Sequence, residues 1–283
     1  MNTGRLTLAG APLGNPADAS ARLQVALAQA RLIFAEDTRR LRHLADDLAL
    51  TIVGEVHSFF AGNERERIES LRRYLSAGEQ VLLITDGGMP GISDPGYLAI
   101  QVALEVGAEI EVLPGPSAVT TALVLSGLPM ERFIFDGFPP RAANARLDYL
   151  HSMKNQERTI VLFEAPHRIE ELVRDLVAVF GESRRVALCR EMTKRYEETF
   201  RGSLIELQRW VNEREVLGEV TVVIEGAQPT EVLARAPEVI AQLVAAREAA
   251  GMERREAVAA VAQELNLRKR EVFDALVASK MEQ

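Results

Sequence analysis

Residues 81–106 constrain the fold more than any other stretch of the sequence. The run 81–84 is entirely apolar, as in a parallel strand that is buried on both faces. It leads into residues 87–96, where four glycines and two prolines fall within ten positions, and helical spacing of apolar residues resumes at Leu98. A strand, a glycine-rich loop and a helix in this order predict an open α/β sheet that binds a ligand through exposed backbone amides at its carboxyl edge.

The glycines of this loop also have a purely structural interpretation. A tight turn between a strand and a helix needs glycine only where the backbone adopts positive φ. One glycine satisfies that need, whereas this loop has four, together with Asp86 and Asp94. The sequence therefore favours a binding loop over a simple turn.

The order of strand, loop and helix recurs through the first half of the chain, which predicts a largely parallel α/β domain over residues 1–128. Asp18 is the predicted cap of its first helix. Strands are predicted at residues 6–9, 32–35, 51–53, 81–84 and 110–113, and helices at residues 20–31, around 68–75, from 97 and at 118–126.

A break at residues 127–130 introduces a second predicted α/β domain, residues 129–228. Its predicted strands begin at residue 132 and cover residues 158–164, 185–189 and 220–224, with a helix at residues 169–180.

Residues 229–283 change in character and predict a small helical tail. Three short helical patterns are joined at Gly251 and Asn266, and the helices carry several arginines. Such arginines form either a solvated face or a surface that contacts RNA, and the sequence leaves both possibilities open.

Composition and charge restrict the class of protein. The 283 residues are 47% hydrophobic and 26% charged, which is typical of soluble globular proteins and allows two domains. No apolar run approaches the ~20 residues of a membrane span. A direct start into a strand and a single cysteine, Cys189, predict a cytoplasmic protein with that thiol in its core. The net charge of −8 argues against indiscriminate polyanion binding, so a nucleic acid has to meet local basic patches.

Several familiar catalytic signatures are absent from the sequence. The first loop, residues 10–16, has no Gly-x-Gly-x-x-Gly fingerprint, and the chain has neither a Gly-x-x-x-x-Gly-Lys phosphate loop nor a Gly-x-Ser-x-Gly elbow. The four histidines share no ligand-like spacing and there is no Cys-x-x-Cys, so no metal site is predicted. These absences argue against a hydrolase and favour a ligand recognised through backbone amides and apolar contacts.

Strings of polar, charged and turn-forming residues stand at the ends of the predicted strands. Each string alone is explained as a cap, a turn or an ion pair. The strings are Pro12-Leu13-Gly14-Asn15, Ala35-Glu36-Asp37-Thr38-Arg39, residues 85–96, Leu113-Pro114-Gly115-Pro116-Ser117-Ala118, Pro166-His167-Arg168, Arg190-Glu191-Met192-Thr193-Lys194 and Val223-Ile224-Glu225-Gly226.

In this order the strings resemble the tetrapyrrole-methylase superfamily and, within it, the ribosomal RNA small subunit methyltransferase I family. The resemblance covers roughly residues 5–228 together with the tail. Ala11 and Pro16 replace the family's usual Thr and Leu, and residues 88–89 differ mildly from its common choices. Residues 142–144 lack the lysines expected there, which weakens any role of that loop in gripping phosphate.

The resemblance implies two α/β domains with S-adenosylmethionine in the cleft between them, and a homodimer. It also implies methyl transfer to the ribose 2′-hydroxyl of a cytidine in the decoding region of 16S rRNA, with the 30S subunit as the expected context. The residues that it places against the cofactor are Pro12, Leu13, Gly14, Asp86, Gly87, Gly88, Met89, Ile92, Ser117, Ala118, Phe163, Glu225, Gly226 and Ala227.

Transfer to a ribose hydroxyl calls for a base and for cationic contacts with RNA. Three carboxylates are candidate bases, and each is equally interpretable as an ion-pair partner of a nearby arginine: Glu164, Asp37 and Glu191. The candidates for contact with phosphate and base are Arg39, Arg141, His167, Arg168, Arg190 and Lys194.

Two rival functions remain open from the sequence. A methyltransferase acting on a tetrapyrrole precursor would need a pocket for a polycarboxylate macrocycle and would have no obvious use for the tail. A non-catalytic ribosome-assembly factor would bind RNA without transferring methyl groups.

Overall fold

Two sheets organise the chain, which a computed structural model describes over residues 3–228 and 234–281. The contacts divide it into two units. The first extends to Ala122 and also includes Arg190–Glu198, and the second consists of Leu123–Cys189 and the described residues from Thr199 onward.

The first sheet is parallel in all of its described pairings, and its strand order is β3-β2-β4-β1-β5. Its strands are β1 (Arg5–Ala9), β2 (Leu32–Ala35), β3 (Glu55–Ser58), β4 (Gln80–Ile84) and β5 (Glu109–Leu113). The helices that follow these strands are α1 (Ala21–Gln29), α2 (Thr38–Asp47), α3 (Glu64–Ser76), α4 (Tyr97–Glu105) and α5 (Ala118–Ser126).

Strand β4 occupies the centre of this sheet, which explains its unbroken apolar run. Val81 and Leu83 pack into the apolar cluster on one face, and Leu82 and Ile84 pack into the cluster on the other. Successive side chains of a strand point to opposite faces, so a central strand with helices on both sides needs apolar residues at every position.

The second sheet is mixed, with strand order β6-β7-β10-β8-β9. β6 runs parallel to β7, whereas β10 runs antiparallel to it. The strands are β6 (Phe133–Phe135), β7 (Thr159–Glu164), β8 (Arg185–Arg190), β9 (Glu198–Ser203) and β10 (Val220–Ile224), and the helices are α6 (Ala143–Met153), α7 (Ile169–Phe180) and α8 (Leu204–Asn212).

The described part of the tail forms three helices with an apolar cluster of their own. They are α9 (Pro237–Ala249), α10 (Arg254–Glu264) and α11 (Lys269–Met281), and their shared cluster includes Ile240, Val261 and Val272. The predicted α/β architecture with a helical C-terminal segment is confirmed. In the described residues no helix has the length and apolar character needed to cross a membrane.

Some predicted element boundaries are wrong. The strand expected at residues 51–53 lies at Glu55–Ser58, and Val53 is 72% exposed. Ser20, not Asp18, caps α1, because its Oγ accepts the Leu23 N–H at 3.1 Å. Cys189 is buried, as expected.

Candidate active site

The carboxyl ends of the parallel strands bring the predicted cofactor loops of the first unit together. Gly10, which follows β1, donates its N–H to the carbonyl oxygen of Leu113 in β5 at 2.9 Å. Ala11 and Gly88 exchange two backbone hydrogen bonds of 2.8 and 3.0 Å. The loop that carries Pro12, Leu13 and Gly14 therefore lies beside the glycine-rich loop after β4.

Gly10 and Gly115 allow the closest backbone approach at this edge. A Cβ on Gly10 would lie 2.6 Å from the Gly115 nitrogen and 2.8 Å from Met89 Sδ. Because a real Cβ does not tolerate such contacts with backbone, both positions require glycine. Their contact holds the loops after β1 and β5 against each other, next to the predicted ligand residues Ser117 and Ala118.

Gly87 and Gly88 present backbone without side chains beside Leu13. Gly88 has a φ of +74°, a conformation that favours glycine. A Cβ on Gly88 would lie 3.8 Å from Leu13 Cδ2 and 3.8 Å from the Pro116 carbonyl oxygen, and a Cβ on Gly87 would lie 3.3 Å from the Pro12 carbonyl oxygen. These positions form a cradle that side chains would fill, which fits a ligand recognised through backbone groups.

Ile92 lies farther along the same loop, and its side chain is 48% exposed. Its N–H donates to the Met89 carbonyl oxygen at 3.2 Å, and the Gly91 N–H donates to the Pro95 carbonyl oxygen at 3.1 Å. The loop is thus held by its own hydrogen bonds while it presents an apolar side chain to solvent.

Asp86 joins the loops that follow β2 and β4. Its Oδ1 accepts the Asp37 N–H at 3.0 Å, and its own N–H donates to Glu36 Oε2 at 3.2 Å. Arg40 Nη1 lies 3.4 Å from Asp86 Oδ2. Burial raises the pKa of the Glu36 carboxyl above its usual value. Asp86 therefore has a structural task that the sequence did not reveal.

Asp37 caps α2 and pairs with Arg39, the ion-pair alternative that the sequence left open. Asp37 Oδ1 accepts the Arg39 N–H at 2.8 Å, and Arg39 Nη2 lies 2.7 Å from Asp37 Oδ2. Hydrogen bonds from the Arg39 side chain and backbone hold the pKa of Asp37 well below its usual range. A carboxylate with such a low pKa is a weak acceptor for the proton of a hydroxyl group.

The segment Arg190–Glu198 belongs to the first unit and contacts the loop after β1. Lys194 Nζ pairs with Glu191 Oε1 at 2.9 Å, and Arg190 Nε pairs with Glu198 Oε2 at 2.8 Å. Two predicted RNA-contacting cations and one predicted base therefore make ion pairs within this segment.

In the second unit, Glu164 is a deeply buried carboxyl group at the end of β7. Its Oε1 accepts the Ala165 N–H at 2.8 Å, and its Oε2 lies 3.2 Å from Arg168 Nη2. That contact lacks hydrogen-bond geometry, so Oε2 is buried without a hydrogen-bond partner. Burial raises the pKa of Glu164.

The three residues of the second unit that were predicted to contact RNA differ in their exposure to solvent. Arg168 is largely buried. Its Nη2 donates to the carbonyl oxygens of Pro139 and Pro140 at 3.0 and 3.2 Å. Arg141 and His167 are exposed. Arg168 therefore holds the loop before α6, whereas the other two face solvent.

The second sheet separates Phe163 from Glu225, Gly226 and Ala227, which the sequence placed around one ligand. In the antiparallel pair of β7 and β10, Val220 is opposite Glu164 and Ile224 is opposite Ile160. The two stretches therefore lie at opposite ends of these strands, about 14 Å apart at ~3.4 Å per residue.

The turn at Glu225–Ala227 is held at its own end of the sheet: the Ala227 N–H donates to the Gln156 carbonyl oxygen at 2.7 Å. Phe163 has different neighbours, since its ring contacts Phe135 and Phe138 at centroid distances of 4.7 and 5.7 Å.

Residues 218–220, which the sequence did not single out, enter β10 beside Glu164. Gly218 has a φ of +83°, and Val220 is the strand partner of Glu164. Only the antiparallel direction of β10 puts these residues at the same edge as Phe163. A strand's direction in a sheet is not encoded in its own apolar pattern, so the only local signal was the glycine before the last strand.

The helical tail has no excess of basic residues. Residues 229–283 contain eight lysines and arginines against nine aspartates and glutamates. Arg268 pairs with Asp148 of α6 at 2.9 Å, and Arg254 approaches Glu248 at 3.7 Å. The charge of the tail gives no support to a contact with RNA.

Comparison with known proteins decides the family. Residues 5–208 match the family model described as Tetrapyrrole (Corrin/Porphyrin) Methylases. A relative from Mycobacterium tuberculosis named "Ribosomal RNA small subunit methyltransferase I" is 44% identical over 283 residues, which is 100% of this chain and 98% of the relative. The chain belongs to the ribosomal RNA small subunit methyltransferase I family of tetrapyrrole methylases. The resemblance noted from the sequence is thus confirmed.

Two further relatives show how far this family's fold extends. A Thermotoga maritima protein of the same name is 40% identical over 225 residues, which is 80% of this chain and 100% of the relative. One-fifth of the present chain therefore has no counterpart in that family member. The crystal structure of uroporphyrin-III C-methyl transferase from Thermus thermophilus complexed with S-adenyl homocysteine is 17% identical with a TM-score of 0.55, covering 79% of this chain and 97% of that chain, and it shares the fold.

Proposed function

We propose that this protein transfers the methyl group of S-adenosylmethionine to the ribose 2′-hydroxyl of a cytidine in the decoding region of 16S rRNA. The observation that carries the proposal is the 44% identity, over the whole chain, to a protein named for methylation of small-subunit ribosomal RNA. The protein acts in the cytoplasm, as a homodimer, on RNA within the 30S subunit.

The cofactor is held by the loops at the carboxyl edge of the first sheet. The open backbone at Gly87 and Gly88, the neighbouring Leu13 and the buried Pro12 suit a ligand with both polar and apolar parts. Asp86 supplies a carboxylate that the Asp37 N–H and the Arg40 side chain hold in place. Met89, Ile92, Ser117 and Ala118 complete this part of the site, together with Gly14.

When bound, the donor would supply an electrophilic methyl group on a sulfonium whose sulfur leaves as a neutral thioether, and the protein would accelerate the transfer chiefly by positioning the two reactants. The hydroxyl proton has to leave as the new bond forms.

Of the three candidate bases, Glu164 suits this task best. Its raised pKa contrasts with the lowered pKa of Asp37. Glu164 Oε2 lies 3.2 Å from Arg168 Nη2 but accepts no hydrogen bond, whereas Glu191 Oε1 accepts one from Lys194 Nζ at 2.9 Å. For the second unit we therefore include Phe163 and Glu164 together with residues 218–220 at the same edge. Glu225, Gly226 and Ala227 support the opposite end of the sheet.

The side chains proposed to contact RNA are Arg39, Arg141, His167, Arg190 and Lys194, with Arg168 holding the loop that carries Arg141. The Arg39 side chain is 82% exposed although it pairs with Asp37, so its outer face can meet a phosphate. Local cations of this kind are needed in a chain with a net charge of −8.

Methylation of a tetrapyrrole precursor is the principal alternative, because proteins that act on such compounds share this fold. The length of the match to the mycobacterial relative argues against that alternative. The structural match to uroporphyrin-III C-methyl transferase covers 79% of this chain at 17% identity, whereas the mycobacterial protein matches all of it at 44%.

The decisive experiment is incubation of the protein with radiolabelled S-adenosylmethionine and 30S subunits that lack the modification. Nuclease digestion should release labelled 2′-O-methylcytidine from 16S rRNA. Label in a base, in a tetrapyrrole precursor offered in parallel, or nowhere would contradict the proposal. Retained binding to the subunit without any label would instead indicate an assembly factor.

Two substitutions separate the cofactor site from the RNA contacts. Asp86→Ala should weaken S-adenosylmethionine binding in calorimetry while the circular dichroism spectrum is retained, because the loops after β2 and β4 lose their shared carboxylate. Arg39→Ala should weaken binding to 30S subunits and leave the affinity for the cofactor unchanged. Asp47→Ala, at the exposed end of α2, is the matched control. Equal cofactor affinities in wild type and Asp86→Ala would refute the assigned site.

A further inference from the structure

The segment Arg190–Glu198 presents an exposed aromatic ring paired with a guanidinium group. Tyr196 is 65% exposed, and the guanidinium carbon of Arg195 lies 5.5 Å from the centroid of its ring. In the described residues Arg195 has no carboxylate partner. Its positive charge is therefore not neutralised by an ion pair, unlike the charges of Arg190 and Lys194 in the same segment.

The backbone that carries this pair is held in one conformation by local contacts. Glu191 and Thr193 both adopt positive φ, at 50° and 66°, which non-glycine residues rarely do. The Thr193 N–H donates to Glu197 Oε2 at 2.5 Å, and the Lys194 N–H donates to the Glu191 carbonyl oxygen at 3.0 Å. Strained conformations persist only where the surroundings determine them, and they cluster at binding sites.

The same segment contacts the loop that follows β1. The Asn15 N–H donates to Thr193 Oγ1 at 3.2 Å. Gly14 lies so close to the Lys194 side chain that a Cβ on Gly14 would collide with the Lys194 methylene groups. Tyr196 and Arg195 therefore follow directly after residues that touch the proposed cofactor loop, within the first unit.

We propose that Tyr196 and Arg195 form a stacking platform for an unpaired nucleobase of the RNA substrate. Proteins recognise single-stranded RNA by stacking splayed-out bases on aromatic rings and guanidinium planes, and adjacent cations follow the phosphate backbone. Tyr196 supplies the ring, and Arg195 supplies both a second plane and a positive charge.

This inference rests on the proposed function, because the stacked base belongs to the proposed substrate. An exposed tyrosine with one cation also occurs as a surface pair without a ligand. The platform is distinguished from such a pair by the strained, hydrogen-bonded backbone just before it and by the hydrogen bond from that backbone segment to the proposed cofactor loop.

The first test compares steady-state methylation of 30S subunits by the full-length protein and its variants. Tyr196→Ala should raise the KM for 30S subunits about tenfold or more, the usual effect of losing one stacked base, with the affinity for S-adenosylmethionine unchanged. Tyr196→Phe, which keeps the ring, should behave like wild type. Tyr97→Ala is the matched control, because Tyr97 lies in the same unit and is also 65% exposed.

The outcomes separate the platform from the proposed function. If wild type transfers no label to 30S subunits, the proposed function fails. If wild type is active and Tyr196→Ala has the same KM, the platform is wrong. The platform would also be wrong if KM rose equally in Tyr196→Phe, or if Tyr196→Ala also bound S-adenosylmethionine more weakly. Either result indicates a role in loop structure.

A second test detects stacking directly. The chain has one tryptophan, so Tyr196→Trp adds a single exposed fluorophore to a constant background. An rRNA fragment containing the decoding region should quench the added fluorescence in Tyr196→Trp and leave that of Tyr97→Trp unchanged. Equal responses of the two variants would contradict base stacking at Tyr196.

Discussion

Among the described ionisable residues of the second unit whose side chains have a buried polar atom without a hydrogen-bond partner, two are almost completely buried. They are Lys154, through Nζ, and Glu164, through Oε2, and each residue is no more than 2% exposed. Buried polar groups are usually paired because desolvation is costly, so each exception calls for an explanation. For Glu164 the explanation is the proposed chemistry. Lys154 directly follows α6 and lies near charged residues of the tail, and α6 carries none of the proposed site residues.

Burial of the charged Lys154 side chain should destabilise the folded protein at neutral pH, so removing its charge should increase stability. Burial lowers its pKa from 10.5 to about 8, so between these values the unfolded chain binds a proton that the folded chain has lost. Stability attributable to this group therefore rises as the pH rises from about 8 to 10.5. Lys154→Met should be more stable than wild type by about 1–3 kcal/mol at pH 7.

The measurement is urea unfolding of Lys154→Met and wild type at pH 7 and near pH 10. The difference in their free energies of unfolding should be smaller near pH 10. Lys269→Met, at an exposed position of α11, should show no such pH dependence. A gain that is equal at both pH values would indicate better packing of methionine instead of relief of a buried charge.

Glu164→Gln tests the proposed base. The carboxylate must be ionised to accept a proton, so methylation by wild type should rise with pH through the raised pKa of Glu164. In the variant, the methylation rate should no longer rise with pH over this range. Its kcat should be about 10²–10⁴-fold lower than that of wild type, the usual contribution of a general base.

Stability provides a second measurement on Glu164→Gln. A raised pKa means that the ionised group opposes folding: its favourable contribution is present below the unfolded pKa and is lost as pH rises through the folded value. At neutral pH the melting temperature of the variant should therefore be at least as high as that of wild type. Glu171→Gln, an exposed partner of Arg146, is the control for charge. An unchanged kcat in Glu164→Gln would leave Glu164 as an ion-pair partner of Arg168 only.

At the scale of elements, the loops after β1 and β5 depend on one glycine contact. Gly10→Ala should lower both thermal stability and cofactor affinity, because its Cβ would lie 2.6 Å from the Gly115 backbone nitrogen and cannot move away without separating the strands. Gly107→Ala is the control: its φ is +68° but nothing lies within 4 Å of the added Cβ, so it should cost only about 1 kcal/mol and no affinity. Equal effects of the two substitutions on cofactor binding would contradict the close approach.

The elements with strong apolar patterns were predicted well. β2, α5, α7 and β10 have the predicted boundaries, because each presents a continuous or clearly periodic set of buried side chains. β3 was displaced, since all of its residues are at least partly exposed, whereas the preceding Ile52 and Val53 gave a stronger but misleading signal. Helix α2 was missed because half of its ten residues are charged and only Leu41 and Ala45 are buried, so its apolar pattern is weak.

At the scale of the whole molecule, the tail forms an apolar cluster of its own within the second unit and contacts α6 and α7 through polar groups. Asn266 Nδ2 donates to the carbonyl oxygens of Ala178 and Val179, each at 3.4 Å, and Arg268 pairs with Asp148. The apolar residues of the tail pack mainly against one another. The methylase fold should therefore not depend on the tail.

A variant that ends at residue 228 should retain cooperative unfolding, cofactor affinity and methylation of 30S subunits. The Thermotoga maritima relative supports this expectation, since 80% of the present chain covers its whole length. Thermal unfolding, calorimetry and the radiolabel assay provide the measurements. Loss of methylation with folding intact would assign the tail to substrate recognition, and loss of folding would contradict its independence.

The sequence by itself determined the α/β class, the helical tail and the family, because apolar periodicity and loop strings are local properties of consecutive residues. It also identified the first unit's loops, since parallel strands place every strand-end string at the same edge. Tertiary structure alone decided that Asp86 joins two loops, that Arg168 holds a loop, and that residues 218–220 and not Glu225–Ala227 accompany Phe163. The partner of a charged side chain and the direction of a strand in its sheet depend on contacts between residues far apart in the chain. Local sequence patterns do not specify such contacts.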